Sequence, residues 1–162
     1  MIRVRNLDKT FHTQHEEVAA VRGVSFDVAD GEFFTILGPS GCGKTTILRC
    51  IAGLERPDSG EIQLGGTTVF SPEKRIAIPP EKRNAGMVFQ SYAIWPHMSV
   101  FENVAFPLRQ SAQRPAAAEI RQRVHKALEL VRLSGLDNRT GAQLSGGQQQ
   151  RLALARALVG EP

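Results

Sequence analysis

Eight consecutive residues, Gly38-Pro39-Ser40-Gly41-Cys42-Gly43-Lys44-Thr45, hold the most legible chemistry in the sequence. They fit the pattern of a Gly, four free positions and then Gly-Lys-Ser/Thr, and that order has a physical purpose. Glycines let successive backbone N–H groups turn inward as a nest for phosphate oxygens, and a helix opening at this point adds the partial positive charge of its N-terminus. The Lys44 ammonium would reach the β- and γ-phosphates of a nucleotide, and the Thr45 hydroxyl would take a position on Mg²⁺. With the composition of this chain the four fixed positions arise by chance about 0.4% of the time. Many kinds of protein share the pattern, so it names a triphosphate ligand without naming the task.

A second string, Leu144-Ser145-Gly146-Gly147-Gln148, also stands immediately before an amphipathic helix, with Ser145 lying 101 residues beyond Lys44. Alone it reads as an ordinary N-cap serine with flexible neighbours. Its chance expectation is about 0.04%, and the two strings coincide by chance about once in several hundred thousand. Other candidates carry less information. Gln90 is an amide at the end of the short apolar run Val88-Phe89. Phe11 lies near the N-terminus, ahead of the polar stretch His12 to Glu17. Ser91 to Met98 contains the single Tyr and the single Trp, Tyr92 and Trp95. Such a concentration suits a protein interface, or equally an anchor that pins a helical lobe to a sheet. His97 has no acid or metal partner spaced around it.

The elements that must position these residues follow from periodicity. Ile2, Val4 and Leu7, then Val24, Phe26 and Val28 at period two, predict two antiparallel strands. Asp30-Gly31 is a hairpin signal leading into the apolar run Phe33 to Leu37, which predicts a strand buried on both faces. Thr45 to Ala52 reads as a helix ended by Gly53, Pro57 to Gly60 as a turn, and Ile62, Leu64, Val69 and Phe70 as a hairpin around Gly65-Gly66. After the loop bearing Pro72, Pro79 and Pro80, Gly86 to Phe89 predicts a central strand. From about Ser99 the pattern turns helical. One helix begins at Pro115, with Ile120, Val124, Ala127, Leu128 and Val131 at helical spacing, and a last one runs from Gln148 to Val159, with Leu152, Ala155, Leu158 and Val159 on one face.

Composition bounds the answer without choosing it. The chain has 162 residues, 41% of them hydrophobic and 22% charged, which excludes disordered tails, collagen-like fibres and disulfide scaffolds. The 15 Arg and 5 Lys leave a formal charge of +4 with no run of like charges, so a solvated surface explains them better than a nucleic-acid face. Cys42 and Cys50, if on one helix, are separated by about 12 Å of rise, too far to bridge, and read as reduced thiols of an intracellular protein. No segment reaches the length of a membrane span.

Together the two strings resemble the ATP-binding subunit of an ABC transporter, with Gly38 to Thr46 similar to its Walker A loop and Leu144 to Gln148 similar to its signature motif. The resemblance runs from about residue 2 to 162. It implies an α/β fold: a P-loop NTPase-type sheet, incomplete in these 162 residues, with an N-terminal antiparallel β subdomain and an inserted helical lobe. The corresponding parts are 1–90, 91–144 and 145–162. It further implies ATP and Mg²⁺ as cofactors. Phe11 would stack on adenine; Gly38, Pro39, Ser40, Gly41, Cys42, Gly43, Lys44, Thr45 and Thr46 would cradle the phosphates. Lys44 and Gln90 would be catalytic, and Thr45 and Gln90 would approach the metal. Ser145, Gly146, Gly147 and Gln148 would face the γ-phosphate on a different subunit, so a head-to-tail pair would sandwich two ATP molecules.

The implied partners are that second subunit and the permease subunits of a membrane, contacted through residues 90–107, with no nucleic acid. The implied place is the cytoplasm, at the inner face of the cell membrane. The stretch from Val88 to Leu108 resembles importers of the iron(III), polyamine, phosphonate and sugar group, iron(III) or polyamine foremost. In that family the signature helix leads to an apolar strand ending in the Walker B Asp, then a catalytic Glu, a D-loop and a switch His. No apolar run ending in Asp follows residue 148. The expectation is an ATPase in the intact protein and deficient hydrolysis in these residues alone. A soluble ABC-type ATPase acting on nucleic acid, and a fragment that binds nucleotide without turnover, are the alternative readings.

Overall fold

The computed structural model describes residues 1–12, 16–111 and 115–161, so Thr13 to His15 of the polar stretch after Phe11, and Pro162, lie outside the described residues. The chain divides into two compact units, Met1–Ala85 and Gly86–Pro162. The first boundary implied by the resemblance was residue 90, and 145–162 formed a part of its own there.

The first unit contains β1 (Ile2–His12), β2 (Glu17–Val28), α1 (Lys44–Ala52), β3 (Ser59–Leu64), β4 (Thr67–Ser71) and β5 (Ile76–Ala77). The strands form one antiparallel sheet in the order β2-β1-β3-β4-β5. Ile2 pairs with Val28 and Val4 with Phe26, in line with two antiparallel strands, and past a register shift Leu7 pairs with Val24. Val4, Leu7, Val21, Ile62, Val69 and Phe70 form the core with Ile47 and Cys50 of α1. Each large apolar side chain buried in this way contributes about 1.5–3 kcal/mol, and their sum holds α1 on the sheet. Both cysteines are free; burial pushes the Cys50 thiol up to about 11, so it remains neutral.

The far end of α1 is fastened by a side chain that periodicity gives no reason to single out. Arg83 donates from Nη1 to the carbonyls of Cys50 (2.7 Å) and Ile51 (3.0 Å), and from Nε to that of Ile78 (2.7 Å). Burial lowers the guanidinium pKa. Gly53, at φ 83°, ends the helix directly against it: a Cβ there would lie 2.5 Å from Nε.

Four predictions require correction. The run Phe33 to Leu37 joins no ladder, and Asp30-Gly31 is a turn without a hairpin behind it. A strand buried on both faces needs a neighbour on each side, and none of the described residues supplies one. Phe34 stacks on Phe26 with centroids 5.1 Å apart, while Phe33 is 94% and Leu37 86% exposed. Gly86 to Phe89 likewise pairs with nothing described. Ser59 and Gly60, expected in a turn, open β3 because they pair along β1.

The second unit is helical, with α2 (Val100–Gln110), α3 (Ala117–Leu130) and α4 (Gly146–Leu158). Val100, Val104 and Leu108 of α2, Val124, Ala127 and Leu128 of α3, and Leu152 and Ala155 of α4 make its core. Pro115 stands just outside α3, before the N-cap Ala116. Val159 is buried as expected, but Leu158 is exposed.

Polar groups inside this unit are satisfied by side chains reaching along the backbone. Asn103, fully buried, accepts from the Trp95 N–H at 2.9 Å and donates to the carbonyls of Trp95 (3.0 Å), Met98 (3.3 Å) and Ser99 (3.0 Å). It ties residues 95–99 to α2. Removing such a partner leaves buried donors and acceptors uncompensated. Asn103→Ala is therefore expected to lower unfolding free energy by about 3 kcal/mol in denaturant titration. Arg83→Met is expected to cost a similar ~3 kcal/mol. Faster amide exchange at the end of α1 would mark its local origin.

Candidate nucleotide site

The loop before α1 is shaped by a close approach. Gly43, the N-cap of α1, holds φ 91°, and a Cβ at that position would run into the Ala20 carbonyl oxygen of β2. Only glycine combines that conformation with that contact. α1 begins at Lys44 with neither a side-chain cap nor an acidic residue in its first turn. Its free N–H groups and the positive end of its dipole are thus left for an external anion. In α2, by contrast, Ser99 and Glu102 close a capping box, and Glu119 stands in the first turn of α3.

Lys44 folds back over the loop, its Nζ donating to the carbonyls of Gly38 (2.8 Å) and Pro39 (2.6 Å), with Cys42 Sγ at 3.5 Å. These contacts hold the ammonium above the nest. Gly38, Pro39, Ser40, Gly41 and Cys42 are exposed around it; Thr45 is exposed and Thr46 half-buried on the first turn of α1. The structure thus gathers the whole set from Gly38 to Thr46 at one helix end. Phe11 lies on β1 opposite Val18, half-buried, with the Lys9 ammonium 5.1 Å from its ring centroid.

The remaining candidates belong to the second unit. Ser145 is the N-cap of α4: its Oγ accepts from Gln148 N–H, and Gln148 Oε1 accepts from Ser145 N–H at 2.9 Å. Both side chains are committed to their own helix, which leaves the backbone of Gly146 and Gly147 as the available surface. A Cβ added at either glycine would meet no atom within 4 Å, so the packing of the chain itself does not call for glycine there. Gln90 is exposed in a turn just ahead of Tyr92 and Trp95.

Trp95 packs on Phe106 of α2, centroids 4.5 Å apart, and lies under Arg156 of α4 at 4.7 Å. Arg156 also donates to the carbonyls of Tyr92 (3.0 Å) and Ala93 (2.6 Å). Burial lowers its pKa. Sequence reasoning passed over Ala20, Arg83 and Arg156, whose partners lie 23 to 64 residues away along the chain. A basic residue near the C-terminus of a helix was the only local signal for Arg156.

Comparison with known proteins agrees with this geometry. Residues 21–162 match the family model described as ABC transporter. The chain is 55% identical over 146 residues, 90% of its length, to the trehalose/maltose import ATP-binding protein MalK of Thermococcus litoralis. It is 57% identical over 143 residues, 88% of its length, to the spermidine/putrescine import ATP-binding protein PotA of Methylococcus capsulatus. It spans only 39% and 35% of those two relatives. A solved dimeric structure of MJ0796, a bacterial ABC transporter cassette, superposes with a TM-score of 0.86 at 34% identity, covering all of this chain and 71% of that one. The phosphate-ready end of α1, the capped Ser145 turn and these matches lead to one assignment: the chain belongs to the ABC transporter family and carries its ATP-binding fold.

Proposed function

We propose that this chain is the nucleotide-binding part of the energy-coupling subunit of an importer, which binds ATP with Mg²⁺ and, as a whole protein, hydrolyses it to drive uptake through a membrane permease. The observation that carries the reading is the uncapped, acid-free first turn of α1 beneath a lysine held by loop carbonyls. Such a nest fits a polyphosphate: the N–H groups take its oxygens, and Lys44 moves from the Gly38 and Pro39 carbonyls onto stronger acceptors. Among the described residues no three of His, Cys, Asp and Glu gather into a metal site, so Mg²⁺ would rest on the phosphates and Thr45, with Gln90 approaching it. Phe11 would stack on adenine. When bound, Mg²⁺ supplies charge neutralisation at the β- and γ-oxygens.

The open surface above Gly146 and Gly147 supports the other half of the reading. Two glycines open the first turn of α4, and among the described residues nothing occupies the space they leave. A second copy, bringing its own nucleotide head to tail, fits there, with Ser145 and the adjacent N–H groups toward the γ-phosphate. The permease would contact residues 90–107, and the subunit would sit in the cytoplasm at the inner face of the membrane. Among the described residues no helix is long and apolar enough to cross one. Relatives named for polyamine and for sugar import match at 57% and 55% identity, so the cargo class is polyamine or sugar. Iron(III) has no counterpart among the relatives named here. The choice of cargo rests with proteins that touch it.

Lys44→Ala is expected to weaken Mg-ATP binding, measured by calorimetry on the chain, by about 100-fold, with little change in melting temperature. Unchanged affinity would refute the assignment of the nest. Gly147→Trp is expected to leave ATP affinity within about twofold and to abolish ATP-dependent dimerisation of the full-length protein in sedimentation. Dimers forming as readily as in the wild type would exclude the head-to-tail arrangement.

A further inference from the structure

Tyr92 and Ala93 hold φ of 62° and 46°, although neither is glycine. Left-handed backbone is unfavourable for any residue with a Cβ, and two in succession persist only where their surroundings over-determine them. The turn supplies part of that constraint: Tyr92 N–H donates to Phe89 O at 3.0 Å and Ala93 N–H to Ser91 O at 2.7 Å. Arg156 supplies the rest. Its two terminal nitrogens grip the carbonyls of these same two residues, and its plane covers the Trp95 ring. A planar fork reaches the two carbonyls from separate nitrogens while lying over the ring, whereas a lysine ammonium would have to serve both from a single nitrogen.

The position of Arg156 gives this grip a consequence. It lies on the same helix whose first turn is capped by Ser145, so α4 joins the Ser145 turn at one end to the strap behind Gln90 at the other. Eleven residues separate Ser145 from Arg156, about 16 Å of continuous helix. We propose that Arg156 is a positioning residue that locks the Gln90 strap onto α4, so that Gln90 and the Ser145 turn move as one body. This inference rests on the roles given to Gln90 and Ser145 under Proposed function. Asn103 secures the other end of the strap to α2 through Trp95, so loss of Arg156 frees residues 90–93 while the rest stays anchored.

The test uses the full-length protein with Arg156→Met, which keeps the stem and loses the donors, and Arg156→Lys, which keeps the charge and loses the fork. Three quantities are measured: Mg-ATP affinity, kcat for hydrolysis, and acrylamide quenching of Trp95 with and without Mg-ATP, its signal assigned by difference from Trp95→Phe. Both variants are expected to bind Mg-ATP within about twofold of wild type, to lose about 10- to 100-fold in kcat, and to show Trp95 more accessible to quencher. Wild-type kcat or wild-type quenching in a folded variant overturns the proposal. So does a loss of affinity in step with melting temperature in both variants, which would make Arg156 merely structural. Should Arg156→Met not fold, Arg156→Lys alone decides by the same criteria. A wild-type protein that fails to hydrolyse ATP would refute the proposed function, and the quenching comparison would still decide for or against the clasp.

Discussion

Backbone N–H and C=O groups at helix ends carry a free-energy cost unless they find a partner, and the way each end is satisfied organises both units of this protein. α2 and α4 close their first turns with capping boxes, and Arg139 and Asp137 carbonyls take two further N–H groups of α2. Glu119 lies in the first turn of α3. Of the four α-helices among the described residues, α1 alone has neither a side-chain cap nor an acid at its start. At its start Gly43 lies against the Ala20 carbonyl, where no residue with a Cβ would fit. The exception is the end to which the nucleotide is assigned in the proposed function, since donors left open at low cost in water become strong donors to a phosphate.

Two arginines gather backbone carbonyls, one in each unit. Arg83 gathers the last carbonyls of α1, and Arg156 gathers those of Tyr92 and Ala93. Both guanidiniums are partly removed from water, and burial lowers both pKa values, yet arginine starts so high that each remains charged. Three carbonyl dipoles or two plus an indole ring replace the lost hydration. Each of these arginines joins segments that are far apart in sequence and close in space, one within the sheet unit and one within the helical unit.

Much of this was legible in the residues. The antiparallel pairing of β1 with β2, the β3–β4 hairpin, the Gly53 stop and the buried stripes of α3 and α4 follow from periodicity and turn chemistry, which act over a few residues. The runs Phe33 to Leu37 and Gly86 to Phe89 were misread because an apolar run specifies a strand only together with its neighbours. Leu158 fits the helical spacing of the buried stripe yet is exposed at the end of α4, beside the buried Val159. Pairing and burial are decided by what lies alongside.

The sequence by itself determined the family, because Gly38 to Thr45 and Leu144 to Gln148 encode it in residue type at fixed spacing. A phosphate nest and a helix cap are local objects, complete within about ten residues. Only the tertiary structure decided that Ala20 walls the nest, that Arg83 fastens the far end of α1, and that Arg156 clasps the strap behind Gln90. Those contacts join residues 23 to 64 positions apart, and no local pattern records which carbonyl a distant guanidinium will meet. Spacing along the chain carries the first kind of information, and packing alone creates the second.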